Sequence, residues 1–249
     1  MRILITGAGG GIGQAVAERF ASEGAEIVLT DRDDDLLKSL SKRLAKFPVQ
    51  CDALSGDLND ESFVDALIGN VWTQFGTIDV LVNNAGIMRR GNVTQTSVDD
   101  YRASMRINVE VPYRLSRDII PKMAKAGGGA IVNVASCWGK YPGPDHAVYC
   151  ASKAAVASLT QCMGRDHAGQ NIRVNAVCPN EVNTPMLRSG FEKRGFDPDT
   201  AIGSLNETVP LGRIAEPDDI ADVIAFLASE DSRYLCGSLI EVNGGKPVY

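Results

Sequence analysis

The chain predicts a doubly wound α/β fold, a seven-stranded, mostly parallel sheet with helices on both faces. Three observations lead there. Apolar runs alternate with helix-like stretches along all 249 residues. Several runs are continuous in Val, Ile and Leu, as in strands buried on both faces of a parallel sheet. A glycine-rich loop joins the first run to the first helical stretch. A chain of this length suits one large α/β domain, and no repeat, low-complexity segment or compositional break divides residues 1–249.

The elements follow in order. Residues 3–6 form the first strand and 12–22 an amphipathic helix, and residues 26–30 and 49–53 are the next two strands. A helix over 61–74 leads to a strand at 80–83, and a long helix over 98–124 to a strand at 130–135. The helix at 147–168 precedes a strand at 173–177. Residues 180–213 carry charge, glycine and proline without strand character. This excursion is expected to be a substrate lid, since long insertions tend to be functional; a plain surface excursion is the alternative. Glu216-Pro217-Asp218-Asp219 opens a helix over 217–228 with proline and acids in its first turn, and 238–242 is the last strand.

A net charge of −6 argues against chain-wide attraction to nucleic acid or anionic membrane, and no apolar run reaches spanning length. Met1-Arg2 leads directly into strand-like sequence, without the apolar stretch and cleavage site of a signal peptide. Cys51, Cys137, Cys150, Cys162, Cys178 and Cys236 are scattered, with no Cys-x-x-Cys pair. The expectation is a soluble protein of the reducing cytoplasm without a disulfide framework. With only His146 and His167 available, no metal site is expected.

Thr6 to Gly13 reads Thr-Gly-Ala-Gly-Gly-Gly-Ile-Gly. Its Gly7, Gly11 and Gly13, with Ile12, would let backbone N–H groups approach a pyrophosphate at the helix N-terminus. The spacing is G-x-x-x-G-x-G, not the commoner G-x-G-x-x-G. Asp31 closes the second strand, where an acid can bond both ribose hydroxyls. A carboxylate there would repel the adenosine phosphate of NADP, and Gly10 offers no cation for it, so NAD is expected over NADP. Arg32 argues the other way, since it could contact a phosphate or stack beside the adenine.

Tyr149 and Lys153 lie four residues apart on a predicted helix, one turn apart on the same face. Ser136, thirteen residues before Tyr149, ends the apolar run that starts at Ala130. Together they could set a hydroxyl donor, an acidifiable phenol and a positive charge around one carbonyl-sized space. Cys137 and Cys150 beside them read as packing residues rather than nucleophiles.

These motifs, in this order, resemble the short-chain dehydrogenase/reductase family in its single-domain form, over essentially the whole chain. Gly56-Asp57-Leu58 is similar to its adenine-contacting turn, and Asn83-Asn84-Ala85-Gly86 to its sheet-bracing segment. Asn108 lies where the family carries a helix-borne asparagine, and Ser136, Tyr149 and Lys153 match the catalytic set. Pro179, Val182 and Thr184 match a segment contacting the nicotinamide carboxamide, and Asn243-Gly244-Gly245 the turn after the last strand. The resemblance implies a Rossmann-type domain that both binds the dinucleotide and catalyses. It makes Tyr149 the acid or base, and has Lys153 lower its pKa while holding the ribose; Ser136 bonds the reacting oxygen, and Asn108 fixes a relay water. It also implies a homo-oligomer, dimer or tetramer, paired through the helices at 98–124 and 147–168.

Two positions depart from the family pattern. Asn180 stands where glycine usually follows the proline, and its side chain is expected to face the active site. The tail from Lys246 to Tyr249 could reach a neighbouring subunit or be disordered. Around the catalytic set lie Trp138, Tyr141, His146, Met88, Arg89 and Arg90. From the excursion come Glu181, Met186, Arg188, Phe191, Lys193 and Arg194. This polar, locally basic surround suggests an oxygen-rich small-molecule substrate such as a sugar acid or polyol. The alternatives are a 3-oxoacyl-thioester reductase and, in another class, a nucleotide-binding regulator without catalysis.

Overall fold

A computed structural model describes residues 1–246. Its strands are β1 (Arg2–Thr6), β2 (Glu26–Asp31), β3 (Cys51–Ser55), β4 (Val80–Asn83), β5 (Gly129–Val134), β6 (Ile172–Pro179) and β7 (Leu239–Val242). They form one sheet in the order β3-β2-β1-β4-β5-β6-β7. Every pairing is parallel, so the sheet is wholly rather than mostly parallel among the described residues. β1 pairs with β2 on one side and β4 on the other. The strand order reverses there, opening a crevice at the carboxyl ends of the strands.

The helices are α1 (Gly11–Ser22), α2 (Asp34–Leu44), α3 (Glu61–Phe75), α4 (Val98–Met105), α5 (Val111–Lys125), α6 (Ala147–His167), α7 (Pro185–Glu192), α8 (Pro198–Glu207) and α9 (Pro217–Ala228). Alternation along the strands divides the apolar core between the two faces. Ile3 and Ile5 of β1 join Val16, Leu40 and Ile224 of α1, α2 and α9. Leu4 between them joins Leu67, Leu115 and Met163 of α3, α5 and α6 on the opposite face. No described helix is long and apolar enough to cross a membrane.

A polar chain runs through the middle of this core. Asn83 and Asn133 are register partners on β4 and β5, and Asn83 Nδ2 donates to Asn133 Oδ1 at 2.8 Å. Asn133 Nδ2 donates in turn to Thr160 Oγ1 on α6, also at 2.8 Å, with all three residues buried.

Several boundaries differ from expectation. β3 starts at Cys51, two residues late, after the loop through Pro48. α2 is a helix missing from the sequence reading; Asp33 caps it by accepting from Leu36 N–H, and Leu37, Leu40 and Leu44 bury one face. The long helix expected over 98–124 is interrupted by a π-helical turn, Arg106–Glu110, between α4 and α5. Residues 180–213 are not irregular: they hold α7 and α8, each with proline at its start and a cap, Thr184 and Asp197. Phe191, Ile202, Val209 and Ile214 give this excursion an apolar cluster of its own. Of the predicted tail, residues 247–249 lie outside the described residues.

Candidate active site

All the predicted site residues stand at or beyond the carboxyl ends of strands, apart from those carried by the helices beside them. The loop after β1 comes first. A Cβ on Gly13 would clash with the Gly7 carbonyl and stand 2.7 Å from Ala8 Cα, so only glycine lets the loop fold onto α1. α2, α3, α4, α7 and α8 each receive a side-chain cap. α1 has none, and no acid in its first turn. The first-turn N–H groups at Gly11, Ile12 and Gly13 therefore remain for a pyrophosphate, which fits a dinucleotide at this end of the helix.

Neighbouring strands hold the loop. Asn84 Nδ2 donates to the Thr6 and Gly7 carbonyls at 3.0 and 2.9 Å, and Thr6 Oγ1 accepts from the N–H groups of Asn84 and Ala85. Both ends of the Gly9 residue are bonded as well. Its N–H donates to Asp31 Oδ2 at 2.9 Å, and its carbonyl accepts from Gln14 Nε2, whose Oε1 is held by Arg43 at 2.7 Å. Asp31 also accepts from Asp33 N–H through Oδ1. Its carboxylate is thus anchored on the rim of the loop.

Beyond β3, Asp57 closes a tight turn with Asn59, and Leu58 is buried. Arg32 is exposed on the rim. Across the crevice, Pro179 ends β6, Val182 is buried, and Thr184 starts α7. The Thr184 methyl carbon would lie 2.9 Å from a Cβ on Gly11, so the excursion begins directly over the glycine loop.

The four residues expected to handle protons converge beside the loop. Ser136 follows β5; its Oγ accepts from Trp138 N–H at 3.1 Å and donates to the Pro179 carbonyl at 3.5 Å. Lys153 is buried, with Nζ donating to the Val134 carbonyl at 2.7 Å. The same Nζ stands 5.8 Å from the centre of the Tyr149 ring. Burial brings the Lys153 ammonium down to about 8. Burial pushes the half-buried Tyr149 phenol up to about 12, with the Ser136 hydroxyl opposing.

Asn108 sits in the π-helical turn, the kind of bulge often found where a helix must aim a residue. Its Oδ1 accepts from Ile87 N–H at 2.8 Å, while Nδ2 donates to the Ile87 carbonyl and to Ser152 Oγ, both at 2.9 Å. The side chain thereby ties the segment after β4 to α6. A Cβ on Gly86 would stand 3.4 Å from Lys153 Nζ and 3.5 Å from Asn108 Oδ1, so the two flank one small space.

Comparisons with known proteins identify the family. The family model described as enoyl-(acyl carrier protein) reductase matches residues 7–246. A 3-oxoacyl-[acyl-carrier-protein] reductase of Thermotoga maritima is 38% identical over 97% of this chain and 96% of its own. A meso-2,3-butanediol dehydrogenase of Serratia marcescens is 39% identical over 98% of this chain and 93% of its own. The crystal structure of L-sorbose reductase from Gluconobacter frateurii, complexed with NADPH and L-sorbose, superposes with a TM-score of 0.93. It is 33% identical and covers 98% of this chain and 95% of that one. The chain belongs to the short-chain dehydrogenase/reductase family.

This dehydrogenase/reductase also holds features that its sequence did not expose. Trp138 packs on His146 with ring centroids 4.4 Å apart and meets Tyr149 edge-on at 6.4 Å. His146 Nδ1 lies 2.6 Å from the Pro144 carbonyl and Nε2 lies 2.9 Å from Arg90 Nη1. This link spans two loops that the pairing of Gly91 with His146 brings side by side. The expectation for Asn180 is not met by the cavity it lines, about 100 Å³ among Val209, Arg213, Ile214 and Asn243. Neither Ser136 nor Tyr149 lines that space, and Asn180 Nδ2 is buried without a partner among the described residues. Burial pushes the thiols of Cys137 and Cys178 up to about 12 and 11, which leaves both protonated and poorly nucleophilic.

Proposed function

We propose that this dehydrogenase/reductase transfers hydride reversibly between NAD and a secondary alcohol or ketone of an oxygen-rich substrate, such as a sugar acid or polyol. The observation carrying this reading is the convergence of Ser136, Tyr149 and Lys153, with the uncapped start of α1 following the carboxyl end of β1 in the same sheet. When bound, the nicotinamide accepts or donates the hydride and, oxidised, adds a positive charge. Tyr149 takes the hydroxyl proton as an alcohol is oxidised and returns it as a ketone is reduced. Its buried phenol is by itself too weak an acid, so positive charge must lower it; Lys153 is the protein's source. Ser136 bonds the reacting oxygen. Lys153 also holds the nicotinamide ribose hydroxyls, and Asn108 orders the water path beside Gly86. Gly7, Gly11, Ile12 and Gly13 receive the pyrophosphate, and Asp57, Leu58 and Arg32 border the adenosine. Asn84 and Gly86 border the nicotinamide side, with Pro179, Val182 and Thr184 at its carboxamide.

Asp31 supports NAD over NADP, because its anchored carboxylate would face the extra phosphate. α7 and α8 act as the substrate lid of the single domain. The exposed Tyr101 and Tyr113 line a groove of about 850 Å³ with Met105, Val109 and Leu159. This face of α4, α5 and α6 supports pairing of two copies into a dimer or tetramer. Six free thiols support a reducing, cytoplasmic setting.

The test is a reduction screen with NAD+ over sugar acids, polyols, hydroxy acids and secondary alcohols, repeated with NADP+. Turnover of oxygen-rich alcohols with NAD+ supports the reading. A second reading, reduction of 3-oxoacyl thioesters, is favoured by the Thermotoga maritima relative. Faster turnover of an acetoacetyl thioester with NADPH would replace the first reading by the second. Cofactor binding without turnover of any alcohol would favour a regulator instead.

A further inference from the structure

Four arginines lie on the segment after β4 and on or just after α7, and acids neutralise only two of them. Arg89 pairs with Asp100 and Arg188 with Asp199, each at 2.8 Å. Among the described residues, Arg90 and Arg194 have no carboxylate within 4.0 Å. They nevertheless stand close together. Arg90 Nη2 would lie 2.9 Å from a Cβ on Gly190, and Arg194 Nε donates to the Gly190 carbonyl at 2.9 Å. Arg90 is exposed overall, yet partial desolvation of its guanidinium, with repulsion from Arg194, holds it below its ordinary pKa.

The partner Arg90 does have is chosen for neutrality. The Pro144 carbonyl can only accept, so His146 Nδ1 carries the hydrogen and Nε2 presents a lone pair to Arg90 Nη1. An imidazole in that tautomer aims the guanidinium without cancelling its charge. Arg194 is likewise held by apolar faces, 4.8 Å from the Phe191 ring and 5.6 Å from the Phe196 ring. From the reacting end the path is continuous: Tyr149, Trp138, His146, Arg90, then the first lid helix at Gly190.

We propose that Arg90, aimed by His146 and reinforced by Arg194, binds the carboxylate of the substrate at the lid end of the pocket. The proposal rests on the oxidoreductase reading above and narrows its substrate class to hydroxy acids and sugar acids. A carboxylate there would supply the negative charge these two guanidiniums lack, accept the remaining Arg90 N–H groups, and draw α7 over the bound molecule. The reacting hydroxyl lies at the opposite end, toward Tyr149 and Ser136.

The experiment compares C4 to C6 aldonates with the alditols of the same carbon skeletons, in wild type, Arg90→Met, Arg90→Lys and Arg194→Met. The expected wild-type preference is at least tenfold in kcat/KM for aldonates. Arg90→Met should erase it mainly through KM, and Arg90→Lys should restore it in part. Preference for alditols, or equal losses on both classes in Arg90→Met with an unchanged melting temperature, overturns the proposal. Should no alcohol be oxidised, the reaction reading fails separately. Anion binding is then read by titrating gluconate and galactonate into protein saturated with NADH. Weaker binding in Arg90→Met sustains the carboxylate site; equal affinities, or no binding to wild type, overturns it. Should Arg90→Met not fold, Arg194→Met, which removes the reinforcing charge, is read in its place: a lowered aldonate preference sustains the carboxylate site and an unchanged one overturns it.

Discussion

The Lys153 ammonium stands 5.8 Å from the centre of the Tyr149 ring, and burial drives both groups toward their neutral forms. The lysine falls to about 8 while the phenol rises to about 12. Unfolded, a lysine titrates near 10.4. Between pH 8 and 10 the unfolded chain therefore holds a proton that the folded chain has released, so stability rises with pH across that window. Lys153→Met removes this gain. The stability difference, wild type minus variant, should grow by on the order of 2 kcal/mol from pH 8 to pH 10. Urea unfolding at both pH values checks it; an unchanged difference would show that the buried ammonium is not strained.

Tyr149→Phe keeps the ring packed against Trp138 and removes only the hydroxyl proposed to carry the proton. Turnover should fall by roughly 10³-fold or more, while NADH binding stays nearly intact. In wild type, alcohol oxidation should rise with pH and ketone reduction fall, because one direction needs the phenolate and the other the phenol. Stopped-flow turnover and NADH fluorescence titration measure both. Retention of most activity in the variant would remove Tyr149 from its role.

Asp31→Ser frees the Gly9 N–H from its carboxylate partner and removes negative charge from the rim. The NAD to NADP ratio of kcat/KM should drop at least tenfold, through a higher KM for NAD and a lower one for NADP. Initial-rate kinetics with the two cofactors decide this, and an unmoved ratio would place cofactor choice elsewhere.

Arg173 closes the end of α9, donating to the Leu227, Ala228, Ser229 and Ser232 carbonyls. Arg173→Met should cost about 3 kcal/mol, since several carbonyls lose a charged donor at a helix C-terminus. Chemical denaturation reads the loss, and kcat at a temperature below the transition should stay within twofold.

Most of the parallel sheet was legible because Val, Ile and Leu runs have one physical use when strands are buried on both faces. The candidate site was legible where chemistry and chain order coincide, as in the four-residue step from Tyr149 to Lys153. α2 escaped because its exposed face is crowded with charge and only Leu37, Leu40 and Leu44 reveal its period. α7 and α8 were hidden by charge and glycine, although Thr184-Pro185 and Asp197-Pro198 are sound helix starts. The π-helical turn under Asn108 has no such marker, since it is set by packing on α6. The Arg90–His146 contact joins residues 56 positions apart, a distance over which spacing carries no signal.

The chain from the Asn83 and Asn133 amides to the Thr160 hydroxyl has a mechanical consequence. Thr160 lies seven residues beyond Lys153, two turns along the same rod. Apolar side chains alone would let α6 creep along the sheet with little loss. A slip of one turn would instead strand an amide in the dry interior, at about 1–3 kcal/mol. The helix is thereby keyed to the strands like a shaft in a slot. Proton-handling geometry becomes a property of the sheet's interior, independent of whatever the lid closes upon. Under the proposed reaction, one reacting end can then serve alcohols of very different outline, with α7 and α8 reshaped around it.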